Sequence, residues 1–486
     1  MNFILDFRKW RVYLLMNKRT SVVSDFLDEI QNKKLFCYGA GRIFEDFINS
    51  YPHIKVKAVI DVNKKNTCID ICDKKISVIS IESFIKQSDD SILLITCLDY
   101  LEVEEQLNHF CELDNVPYYV YCQMNVQKDF SVKQMSGRYQ ITEFRMQDYN
   151  AGHKAPLDVA TIAVNSGYKA LPIVRGTIRN GKEQTESEWI KACKEIDNDS
   201  IVLVQFPIVD ISGGVNRLSN LKKEKNIKII CVVHDIEILR RNSREDYIEQ
   251  YNMLKTFADI WIVHNSSMKN FLISKGFPAN RIVSLGIFDY LIEKSVEVKE
   301  DDGIIIAGNL DVAKSQYIYH LNEIENVTFN LYGANYNNIN HYNNINYFGT
   351  FLPDELISNL KGKYGLVWDG DSLDTCSGLT GEYLKINNPH KLSLYLAVGL
   401  PIIIWEKAAE AEFVLKENVG VIVKSLYELP QRLASVSYND YNIMKNNVRI
   451  VGERLRKGEY MMEAIRKAEK ISETSTFISR RHQTPP

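Results

Sequence analysis

The chain has 486 residues, 45% of them hydrophobic and 25% charged, with a net charge of −3. That length and balance suit two to four globular domains with full cores. The mild negative charge gives no reason to expect a nucleic-acid partner.

The nine cysteines lack metal-type spacing. Cys68 and Cys72 form a C-x3-C pair with no second pair to complete four ligands, so no metal site is expected. An odd cysteine count with no secretory leader fits a reducing cytoplasm. The opening MNFILDFRKWRVYLLMNKR is apolar but broken by Asp6, Arg8, Lys9 and Arg11, which excludes a membrane span. It reads as an amphipathic helix, either packed on protein or resting on the inner face of the membrane as a peripheral contact.

A first domain is expected over residues 1–132. A β-run, LFCY, meets Gly39-Ala40-Gly41, an amphipathic helix follows, and a second strand ends at Asp61. An acid about twenty residues beyond a G-x-G suits a ribose hydroxyl in a dinucleotide-type βαβ unit. The third glycine of that motif is replaced by Phe44. Gly39, Gly41 and Asp61 are therefore either a nucleotide site or a tight turn with close helix packing. The runs ISVISIESF, SILLITC and PYYVY complete a Rossmann-like pattern.

The second domain is expected over 133–297. RYQITEF reads as its first strand, followed by a polar loop with Asn150, His153 and Lys154 and then a helix. That loop is either ligand-facing or an ordinary turn before Pro156. IVLVQFP is continuously apolar, as a buried parallel strand requires. KIICVVHDIEIL places His234 and Asp235 at a strand's carboxyl end, where such a pair suits sugar hydroxyls or general-base work. The alternative is a histidine that satisfies a buried loop carbonyl. ADIWIVHNSSMKNFLISKG is a further strand and an N-capped helix.

The third domain is expected over 298–470, with a polar tail over 471–486. Its first strand meets Gly308-Asn309 and then Lys314, a phosphate-site pattern or an ordinary turn. The stretch Tyr364–Glu406 reads as strand, acidic loop, helix, Gly-x-Pro and strand. Lys391 falls in the first turn of that helix, where free N–H groups favour an anion. Asp369, Asp371 and Glu382 carry no assigned role. The terminal helices are expected to cross back onto the middle domain.

The second and third domains, two Rossmann-like halves facing a cleft, resemble the layout of a GT-B glycosyltransferase, an α/β fold, here preceded by a third Rossmann-like domain. The runs QFP, VVHDIEIL, IVHNSSMKNFLISKG, AGNLDVAKS, INYFGTFLPDEL, YGLVW and NNPHKLSLYLAVGLPIII resemble, in order, one bacterial family. It includes galactofuranosyltransferases and the glucosyltransferases that extend O-linked GlcNAc on serine-rich adhesins. The resemblance covers roughly residues 138–470. It implies a hexosyltransferase that takes glucose, galactose or galactofuranose from a UDP-sugar, without a metal or other cofactor. The acceptor would be a glycan or glycoprotein at the cell surface.

By position, the resemblance assigns the nucleotide sugar to Gly308, Asn309, Lys314, Tyr347, Asn388, Pro389, His390, Lys391 and Leu392. It puts the acceptor beside Asn150, His153 and Lys154, and His234 or Asp235 would take the acceptor's proton in an inverting reaction. Many retaining GT-B enzymes carry E-x7-E here; this chain has His390 near the first position and Glu382 out of register, so stereochemistry stays open. A homo-oligomer is expected. Two other readings are a nucleotide-sugar-modifying enzyme built on the first G-x-G, and a non-catalytic partner subunit.

Overall fold

Alternation builds the first sheet. In β1 (Lys34–Tyr38), Leu35 and Cys37 enter one core while Phe36 and Tyr38 enter the other. A strand buried on both faces is what a parallel sheet covered by helices requires. The computed structural model describes residues 26–481 except 27–28, 64–66, 72–73, 98–99, 108, 114–115, 122–134, 146–153, 176–177, 180–181, 184, 209–210, 242–243, 293–297, 300, 338–340 and 352.

The remaining strands of this sheet are β2 (Val56–Ile60), β3 (Cys68–Ile71), β4 (Lys74–Ile79), β5 (Ser91–Ile95) and β6 (Tyr118–Val120). They lie in the order β3-β4-β2-β1-β5-β6. All pairings are parallel except the β3–β4 hairpin. This is the Rossmann-like pattern expected of the first domain. Packing groups the chain into two units, the first spanning Met1–Ser136, Gln140–Gln147 and Gly167–Ile196. In that unit the helix Thr185–Lys194 buries Trp189, whose Nε1 donates to Glu143 at 2.9 Å.

Strands β7 (Arg138–Arg145), β8 (Lys169–Arg175), β9 (Ile178–Arg179) and β10 (Lys182–Glu183) follow in the chain, and the second unit holds two further parallel α/β lobes. In one, β11 (Ile201–Phe206), β12 (Lys228–Val233), β13 (Ile260–Val263) and β14 (Ile282–Ser284) pair side by side, all parallel. In the other, β15 (Ile304–Ala307), β16 (Phe329–Tyr332), β17 (Ile345–Tyr347), β18 (Tyr364–Val367), β19 (Ile402–Trp405) and β20 (Gly420–Val423) run in the order β17-β16-β15-β18-β19-β20. This is the GT-B architecture.

The helix His390–Ala397 is pinned close to β18. A Cβ at Gly365 would lie 2.2 Å from the Tyr395 ring, so only glycine admits this approach. The Tyr395 hydroxyl accepts the Ala307 N–H at 2.7 Å, which fixes the helix against β15 as well. The last helix, Glu459–Arg481, crosses back onto β12, β13 and β14, so residues 471–481 of the expected tail continue a helix. Arg138 grips Glu469 at 2.7 Å, and Asp289 accepts the N–H groups of Tyr460 and Met461. Among the described residues no helix is long and apolar enough to cross a membrane.

Candidate active site

The carboxyl end of β12 presents His234 and Asp235, as the strand pattern predicts. Gln205, at the end of the neighbouring β11, donates through Nε2 to the Pro156 carbonyl at 3.0 Å. That bond turns Gln205 Oε1 toward His234 Nε2, 2.6 Å away, so Nε2 carries the proton. The imidazole stacks on Phe288, with ring centroids 5.2 Å apart and planes 12° apart. Burial, then the neighbouring His264 and His390, pushes the His234 pKa down to about 3. His234 is thus a neutral ring whose Nδ1 lone pair can accept a hydrogen bond.

Asp235 has the opposite bias. Burial pushes its pKa up to about 6, opposed by Arg240 and a hydrogen bond from Tyr383 and aided by Glu237. Arg240 lies 3.3 Å from its carboxylate and 2.6 Å from Glu237. The Tyr383 hydroxyl also accepts the Ile236 N–H at 3.0 Å. A carboxylate that ionises near pH 6 beside an orienting tyrosine has the properties of a general base.

In the other lobe, Lys391 occupies the second position of the helix capped by Pro389. Its Nζ donates to the Trp368 carbonyl at 2.8 Å and to Asp369 Oδ1 at 2.9 Å. Lys314 faces the same carboxylate. Asp369 supports its charge, but burial and the nearby Lys391 and Arg240 outweigh that, and its pKa is lowered. Two ammonium groups therefore lie in the field of one carboxylate, Lys391 paired with it directly and Lys314 only electrostatically. An entering diphosphate would supply the missing negative charge.

Gly308, at φ +143°, and Asn309 are exposed on the loop after β15. Asn309 Oδ1 accepts from Asn335 Nδ2 at 2.8 Å and from the Asp311 N–H at 3.1 Å, so its side chain shapes the loop. Asp311 then caps the short helix that carries Lys314. Tyr347, at the end of β17, is 45% exposed; it packs on Tyr336 and donates to the Gly333 carbonyl at 2.9 Å.

Two models of the glucosyltransferase 3-like family match, the N-terminal domain over residues 138–287 and the C-terminal domain over 304–468. Beta-1,6-galactofuranosyltransferase WbbI of Escherichia coli (strain K12) is 32% identical over 335 residues, 67% of this chain and 97% of that protein. The chain belongs to this glycosyltransferase family. Glucosyltransferase 3 of Streptococcus parasanguinis is 24% identical over 315 residues, 62% of this chain and 88% of that protein. The solved apo structure of lipopolysaccharide outer core galactosyltransferase WaaB aligns with a TM-score of 0.47 at 11% identity, over 70% of this chain and 99% of that one.

In this glycosyltransferase, Asp235 and the Lys391–Asp369 pair both lie within electrostatic reach of Lys314, with neutral His234 next to Asp235. Other expected residues have internal duties. Leu392 is wholly buried and belongs to the core. The Asn388 N–H donates to His264 Nδ1 at 2.8 Å. The His390 ring lies tilted by 32° against Tyr290, centroids 4.9 Å apart, and its buried Nε2 has no hydrogen-bond partner. Lys154 is no loop residue: it opens the helix Lys154–Asn165, pairs with Asp158 and donates to the Leu291 carbonyl at 2.8 Å. Asn150 and His153 lie outside the described residues.

Sequence reasoning missed Gln205, Arg240, His264, Asp369 and Tyr383. Asp369 alone left a signal, as an acid at the carboxyl end of a strand. In the first unit, Asp61 accepts the N–H groups of Ala40 at 2.9 Å and Asn63 at 2.8 Å, so both its oxygens hold backbone.

Proposed function

We propose that this glycosyltransferase moves a hexosyl unit from a UDP-sugar to a glycan or glycoconjugate acceptor without a divalent ion. The observation that carries this reading is Lys391 paired with Asp369 at 2.9 Å, with the Lys314 ammonium in the same electrostatic field. In it, the diphosphate displaces Asp369 from Lys391 and takes up both charges. Helix-start N–H groups complete the anion site, and Gly308 lets the backbone approach. As the anomeric bond breaks, charge builds on the leaving phosphate, and fixed cations stabilise it there. Asp235 takes the acceptor proton, while neutral His234 accepts a hydrogen bond from a sugar hydroxyl through Nδ1. In this division the donor occupies residues 298–470 and the acceptor 133–297.

A hexosyl donor fits the named activities of the two relatives, galactofuranosyl and glucosyl transfer. The described cysteines are free, which supports a reducing compartment, the cytoplasm. Purified protein is incubated with UDP-glucose, UDP-galactose, UDP-GlcNAc or UDP-galactofuranose, with EDTA and without, and UDP release is measured. One donor is expected to give turnover that EDTA leaves unchanged. No UDP from any donor, or activity lost to EDTA and restored by a divalent ion, rejects the proposal.

A further inference from the structure

His264, at the end of β13, is 1% exposed and uses both ring nitrogens. Nε2 lies 2.8 Å from the His234 carbonyl oxygen, and Nδ1 lies 2.8 Å from the Asn388 amide nitrogen. A carbonyl only accepts and a backbone amide only donates. The ring is therefore the neutral Nε2–H tautomer, with no ambiguity from a side-chain flip. Burial pushes its pKa down to about 4, so it stays in that form at neutral pH. Phe288 meets its ring edge-on at 5.0 Å and stacks on His234 with its face.

One imidazole thus ties the backbone of His234 to the turn that opens the helix of Lys391, three residues beyond Asn388. The next residue repeats the connection. Asn265 caps its own helix through Oδ1 and donates through Nδ2 to Glu410 Oε1 at 2.8 Å, in the other lobe.

We propose that His264 is a positioning residue that holds the acceptor-side strand end and the diphosphate-side helix in register. It touches no reacting atom; it fixes the distance between His234 and Lys391. The inference rests on the site proposed above, and the two can fail separately.

Two substitutions divide the bridge. In His264→Gln the side-chain amide can still donate to the His234 carbonyl, but the Asn388 N–H loses its acceptor. In His264→Asn the side-chain oxygen stands near the position of Nδ1 and keeps Asn388, but nothing reaches the His234 carbonyl. A buried polar group left unpaired costs enough to change an affinity or a rate by about tenfold. His264→Gln is therefore expected to weaken UDP binding by about tenfold in calorimetry. His264→Asn should keep UDP affinity within about twofold and lower kcat by about tenfold.

A purely structural histidine would lower the melting temperature in both variants without splitting affinity from turnover. Equal changes in both variants, or wild-type Kd and kcat in both, overturn the inference. Should neither variant fold, the imidazole 15N shifts of the wild-type protein decide: an Nε2–H ring at pH 7 supports the bridge, and an Nδ1–H or charged ring overturns it. Lys391→Ala is the control for the site itself. Normal UDP binding by that variant rejects the site; weakened binding there beside unaffected His264 variants rejects only the bridge.

Discussion

The loop after β1 and the loop after β15 begin alike and end differently. Each follows a buried parallel strand, and each has a glycine at positive φ, +101° at Gly39 and +143° at Gly308. After β1, the loop's polar groups are taken by its own domain. The Gly39 N–H donates to the Ile60 carbonyl at 2.8 Å, the Gly39 carbonyl accepts the Thr96 hydroxyl at 2.8 Å, and Asp61 takes the Ala40 N–H. Phe44, fully buried, fills the place of the third glycine. After β15, the Gly308 N–H is likewise taken, by the Tyr332 carbonyl at 3.0 Å, but Gly308 and Asn309 stay exposed, and Lys391 pairs with Asp369 while Lys314 lies in the same field. Glycine spacing encodes the turn. Two cations around one carboxylate are what the proposed anion site rests on.

The largest effect on UDP binding should come from removing those cations. Lys391→Ala and Lys314→Ala are each expected to weaken UDP binding by about 10- to 100-fold, since a charge-assisted hydrogen bond contributes about 1.5–3 kcal/mol. Gly41→Ala in the other loop is the matched control. Nothing lies within 4 Å of a Cβ there, so UDP affinity and turnover should stay at wild-type values. Calorimetry with UDP reads both, and equal affinities in the lysine and glycine variants would erase the distinction between the loops.

A pH-dependent effect on turnover, rather than on binding, is expected at Asp235. Its pKa is raised to about 6, and a base works only when ionised. Turnover should therefore be half-maximal near pH 6, level off above about pH 7 and approach a tenfold fall per pH unit well below 6. Asp235→Asn should lose about 100-fold or more in kcat with UDP affinity little changed, in line with the usual size of general-base catalysis. A variant with full turnover removes Asp235 from that role and leaves His234 as the acceptor-side residue.

Why the sequence revealed the lobes better than the site follows from where each kind of information resides. Strand alternation in Leu35 to Tyr38 and the apolar run of β11 are local patterns, so the sheets were legible. The helix of Lys391 was legible too, because Pro389 and Gly399 mark its ends. The partners of Lys391 were not. Asp369 comes from 22 residues away and Tyr383 reaches Asp235 across 148 residues of chain. His264 meets Asn388 across 124 residues. No spacing rule brings such pairs together; the pairing of strands and the packing of helices do. Lys154 went astray for the same reason: its neighbours in sequence are polar, but Asp158 and the Leu291 carbonyl hold it in the fold.

The smallest effect tests the other loop. Asp61→Ala removes the acceptor for two backbone N–H groups, at Ala40 and Asn63. A lost hydrogen bond to a charged acceptor costs about 1.5–3 kcal/mol, and the exposed Asn63 N–H recovers part of that from water. The first unit should therefore melt several degrees lower, by the usual scaling of melting temperature with stability. UDP release from the donor should stay at the wild-type rate, because this acid braces a turn and holds no substrate of the transfer reaction. Asp61→Asn is the sharper variant: its side-chain oxygen still accepts one N–H, so most of the melting temperature should return. If Asp61→Ala instead keeps its stability and binds UDP more weakly, the acid is serving a nucleotide and the two loops are more alike than their partners suggest.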